Sequence, residues 1–151
     1  LYYLFDYNPL SLHLTQKIAK RHGYKIIYFS SFANKQAISS DEEQSFFYKG
    51  PGEFLWLIKN AELIVTHSYH ATIFSVIFNK PFFSIPKAET SSRIETLSSV
   101  LVFKDRVITG FKNTDSVDIE MDFSDINLRL ADERAKGAEF LKKALGVGSL
   151  A

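Results

Sequence analysis

The chain has no cysteine among its 151 residues, which removes a disulfide framework, a thiolate metal site and a cysteine nucleophile from consideration. It also lacks a charge bias. Eighteen Lys and Arg face seventeen Asp and Glu, for a formal charge of +1, so no overall field draws it to nucleic acid or an anionic membrane. Any anion site must therefore be local. No apolar run approaches the roughly 20 residues of a membrane span. Leu1-Tyr-Tyr-Leu-Phe-Asp-Tyr7 is apolar, but it is short and has no basic residue before it, so it reads as a buried strand rather than a signal peptide. Cytoplasmic residence is the expectation.

What is present is a core. A hydrophobic content of 46% over this length suits one domain, taken as residues 1–146, followed by a frayed tail at 147–151. The absence of an initiating Met and the immediate start in a strand lead us to expect a piece of a longer protein, its C-terminal half. Internal repeats, low-complexity tracts and linkers are not evident.

Strand and helix signals alternate along the chain. Leu1 to Asp6 reads as a strand covered on both faces. Leu10, Leu14, Ile18 and Ala19 then recur at helical spacing, with cations before the stop at Gly23. Tyr24 to Phe29 is a second strand, which completes a βαβ unit in about 30 residues and predicts a parallel sheet. Ser30 to Ser45 is polar and aperiodic, a loop at a strand's carboxyl end, where open α/β sheets place ligands. A short helix over Glu53 to Asn60, a strand over Glu62 to Thr66, a helix over Tyr69 to Phe78 and a strand over Phe82 to Ile85 follow. Ser91 or Ser92 caps a helix reaching Val100, with Glu95 in capping-box spacing to Ser92. Arg106 to Ile108 is a short final strand, and Asp125 or Asn127 opens a terminal helix whose Leu130, Arg134, Ala138, Leu141 and Leu145 form one side. Trp56, Phe54, Phe74, Phe78, Phe82 and Phe83 fall at buried spacings and are assigned to the core. The predicted class is α/β, a Rossmann-like three-layer domain with a mainly parallel sheet.

The chemistry-bearing residues gather between Gly50 and Leu97. Asn60-Ala61 precedes a strand; Thr66-His-Ser-Tyr-His-Ala71 turns into a helix; Asn79-Lys-Pro81 closes it; and Ser92-Arg-Ile94 opens another. In this order and spacing the stretch resembles the polysaccharide pyruvyltransferase family. The resemblance implies the C-terminal domain of a glycosyltransferase-B-like architecture, in which phosphoenolpyruvate supplies a pyruvyl group to two sugar hydroxyls, forming a ketal and releasing phosphate. The implied partners are phosphoenolpyruvate, a sugar or glycan-lipid acceptor and a missing N-terminal domain, with no cofactor and no nucleic acid. Work on a glycan-lipid acceptor also suits peripheral attachment at the inner face of the membrane. The isolated chain is not expected to turn over, because a cleft between two domains needs both walls.

His70 falls on the family's motif His, and an imidazole can exchange a proton near neutral pH, so it is the catalytic candidate, protonating the donor or steadying its phosphate. Alone, a His at such a turn more often caps or packs it. Ser68, Tyr69, Ser92 and Arg93 are the donor or anion-binding candidates. The first two sit at a helix N-terminus, whose free N–H groups attract anions. Arg93 carries a guanidinium suited to carboxylate or phosphate, with a surface ion pair to Glu89 or Glu95 as its plainer role. Ser92's plainer role is a helix cap, and Ser68 puts a hydroxyl where some members have Arg. Glu53 is an acceptor-side candidate that its helix dipole also explains. His67 reads as a cap or polar loop residue, and with no carboxylate in that turn no metal is expected. Two further readings stay open: a nucleotide-sugar glycosyltransferase of similar fold, and a non-catalytic docking domain in glycan synthesis.

Overall fold

A computed structural model describes residues 2–4, 8–30, 44–46, 50–87, 91–114 and 117–146. The tail at 147–151 and most of the polar loop that follows the second strand lie outside the described residues. Five strands, β1 (Tyr2–Leu4), β2 (Ile27–Ser30), β3 (Gln44–Phe46), β4 (Ile64–Thr66) and β5 (Phe82–Ser84), pair in the order β3-β2-β1-β4-β5. Every pairing is parallel. The helices are α1 (Pro9–His22), α2 (Pro51–Asn60), α3 (Tyr69–Ile77), α4 (Ser91–Val100) and α5 (Ser124–Leu145). The fold is thus α/β.

Successive strand residues point to opposite faces, and the core divides accordingly. Val65 and Phe83 join Leu14 and Ile18 of α1 in one buried cluster, whereas Ile64 and Phe82 join Ile58, Ala71 and Val76 of α2 and α3 in another. The sheet is therefore the middle of three layers. Local chemistry sets the helix ends. Asn8 Oδ1 accepts the Ser11 N–H at 3.1 Å, Pro9 occupies the first turn where its missing N–H costs nothing, and Gly23 stops α1 at φ 69°. Asn79 takes φ 51°, the left-handed conformation Asn tolerates, and so turns the chain from α3 through Lys80-Pro81 into β5.

Four expectations need correction. Trp56 is 63% exposed rather than core. Phe54, Leu57 and Ile58 hold the inward face of α2, and Trp56 lies about 200° round the helix from Phe54. The strand expected at Arg106 to Ile108 is a single parallel bridge, Ser84 to Val107, after a 3-10 turn over Lys104–Arg106. The polar loop after β2 ends in β3, which the aperiodic pattern concealed. In α5 only Ile126 is buried and Leu130 half-buried against the core, so beyond Leu130 the expected side does not pack on this domain, and Leu141 and Leu145 stay 57% and 71% exposed. Among the described residues no helix is long and apolar enough to cross a membrane.

Candidate functional site

From β1 the chain winds one way to β2 and β3, then returns past β1 to β4 and β5. The winding direction reverses between β1 and β4. Ligands of open α/β sheets sit outside the carboxyl ends of the strands at such a reversal. There β4 leads through Thr66-His67-Ser68 into α3, and the exit of β1 leads to Asn8, the cap of α1.

The β4–α3 turn is built on buried hydroxyls. Thr66 Oγ1 accepts the Ser68 N–H at 3.0 Å, and the Ser68 hydroxyl accepts from Ala71 N at 3.4 Å. Thr72 Oγ1 lies 3.0 Å from both the Ser68 carbonyl and Ser84 Oγ on β5. Ser75 donates to the Ala71 carbonyl at 2.7 Å. Burying a hydroxyl without a partner costs about 1–3 kcal/mol, so this bonded set favours one geometry of the turn. Sequence reasoning missed the set because Thr72, Ser75 and Ser84 look like ordinary polar residues until α3 is laid on β5.

The structure separates the expected site residues. Ser68 caps α3 from a buried position, and the neighbouring His67, expected as a possible cap, is itself buried. Tyr69 is half-buried and His70 exposed, with ring centroids 5.9 Å apart in an edge arrangement. Tyr69, Ser92 and Arg93 come together at a cavity of about 470 Å³ between α3, α4 and α5. His70 does not line it. Arg93 is exposed and makes no ion pair with another described residue, while Glu95 takes a hydrogen bond from Ser91, the residue that opens α4. Glu89 lies outside the described residues. Glu53 is exposed in the first turn of α2, its carboxylate folded back toward Gly50, and it does not line this cavity.

A second cavity, of about 720 Å³, is lined by Arg106 together with Asp105, Asp118, Glu120 and Asp122. Arg106 is buried, stands over the Phe83 ring at 5.6 Å, and donates to the carbonyls of Asp118, at 2.7 Å, and Glu120. Its Nε lies 3.0 Å from Asp105 Oδ2 but off the N–H axis, so this contact is an ion pair rather than an aligned hydrogen bond. Arg106 acts as a tether that ties the approach to α5 onto the sheet. Among the described residues no group of three or more His, Cys, Asp or Glu could hold a metal.

No curated protein and no solved structure is significantly similar to the chain. A family model described as "Polysaccharide pyruvyl transferase" matches residues 3–86, more than half of the chain. The match spans nearly all of the sheet, including the first strands, where the sequence motifs are silent, and the whole β4–α3 turn. It stops short of Ser92-Arg93-Ile94. The chain belongs to the polysaccharide pyruvyl transferase family.

Proposed function

We propose that this chain forms one wall of a pyruvyltransferase that moves the pyruvyl group of phosphoenolpyruvate onto two hydroxyls of a sugar in polysaccharide synthesis. The observation that carries the reading is His70, exposed on the first turn of α3 at the sheet reversal, inside the segment the family model matches. The donor's phosphate and carboxylate rest against the N–H groups at the start of α3, where the helix dipole favours negative charge. His70 delivers a proton to the donor's methylene carbon, which becomes the methyl group. One sugar hydroxyl adds to the adjacent carbon and its proton restores His70, phosphate departs with its bonding electron pair, and the second hydroxyl closes the ketal as its proton passes to the released phosphate. Arg93 clamps an anion at the mouth of the neighbouring cavity. In a glycosyltransferase-B-like arrangement, a second domain supplies the facing wall.

The test is phosphate release from phosphoenolpyruvate with sugar acceptors, measured on the full-length protein that carries this chain. His70→Ala should lower turnover about 100-fold or more, the usual effect of losing a general acid. Equal turnover by variant and wild type would remove His70 from the chemistry.

A further inference from the structure

The cavity that holds Tyr69, Ser92 and Arg93 is not polar throughout. Tyr69, Ser92 and Arg93 stand at the N-terminal ends of α3 and α4, Thr96 and Glu133 add polar groups farther along, and Ile73, Ile77, Leu97 and Val100 make the rest of the wall largely apolar. It runs the length of α3, whose nine residues span about 14 Å. The Glu133 carboxylate on the rim is turned to Lys136 at 2.8 Å, which leaves Arg93 as the rim charge without an ion pair among the described residues. A cation with no ion pair among the described residues, at one end of a largely apolar groove, is complementary to a hydrocarbon chain that ends in a phosphate.

We infer that this groove binds the lipid portion of a lipid-linked sugar phosphate, the acceptor of the reaction proposed above, and the inference rests on that reading. The phosphate bonds Arg93, and the first part of the chain lies along Ile73, Ile77 and Val100. The sugar then lies over Tyr69, whose ring adjoins His70. Tyr69 is the link between the two halves of the site, because it lines the groove and touches the proposed acid.

Dodecyl phosphate is the probe, titrated calorimetrically into the full-length protein below its micelle concentration, with inorganic phosphate and dodecanol as separate arms. Saturable binding is expected for dodecyl phosphate, weakened at least tenfold by Arg93→Gln, which removes the head contact, and by Ile77→Gln, which wets the wall. Ile77 and Val100 are 36% and 39% exposed, so Val100→Gln provides a second wall variant that a folded chain tolerates. Absent binding, binding that neither class of variant changes, or equal binding of dodecanol or inorganic phosphate overturns the inference. So does a dimer that Ile77→Gln dissolves, because the groove would then be a self-association face. Phosphate release with a short, water-soluble acceptor separates the outcomes, since a failed groove leaves that turnover intact whereas a failed pyruvyltransferase reading abolishes it.

Discussion

At the scale of single residues, the β4–α3 turn depends on hydroxyls that pack and bond at once. Thr72 is fully buried and reaches both the Ser68 carbonyl and Ser84 Oγ. Thr72→Val keeps the shape but leaves both partners with one bond fewer, so urea unfolding should show a loss of about 1–3 kcal/mol. Pairing it with Ser84→Ala should cost less than the sum of the two single changes, because the mutual bond is lost only once. Full additivity in that cycle would show that the two hydroxyls do not cooperate. The same turn shows what the sequence could and could not disclose. His70 and Tyr69 were legible as candidates because the motif that carries the resemblance includes them. The retreat of Ser68 into a cap was not, since a serine before a helix serves equally well as ligand or cap until its surroundings are known.

At the scale of elements, helices were easier to place than strands. The periods of α1, α2, α3 and α4 bring them within a residue or two of their observed bounds, because apolar spacing and punctuation by Pro, Gly and Asn act locally. β3 was missed for the opposite reason: three residues beginning Gln-Ser carry no pattern of their own and become a strand only by pairing with β2. Trp56 shows a related failure, since its bulk suggested burial while its helical angle placed it in solvent. α5 offers a test of capping. Asp122 Oδ1 accepts from the Ser124 N–H at 2.9 Å and from its hydroxyl at 2.7 Å, and these bonds, the backbone one foremost, hold its pKa below the ordinary 3.8. A carboxyl depressed in the folded state contributes stability above its unfolded pKa and loses it as pH falls through the folded value. Asp122→Asn should therefore lower the melting temperature at neutral pH, and the gap to wild type should narrow as the pH is taken below 3.8. A gap independent of pH would count against the charged cap.

At the scale of the whole molecule, the parallel three-layer plan was readable from the alternation of elements, but strand order was not, because it depends on pairings between distant segments. The tether at Arg106 belongs to this scale too. It joins the segment at Asp118 to Glu120 to the ring of Phe83 across the fold. Arg106→Met should cost about 2 kcal/mol through lost charged hydrogen bonds. Amide exchange should rise first around residues 117–123, ahead of the sheet; unchanged exchange there would assign the stability of that segment to other contacts. The strand order carries one more consequence. Tyr2 on β1 pairs with Val65 on β4, and two strands and two helices lie between them in the chain. The reversal between these two strands cannot close until that long loop has been gathered in, a slow and entropically costly step. The centre of the sheet thus rests on its most widely separated pairing, and a ligand that bridged β1 and β4 would act as a clasp on it.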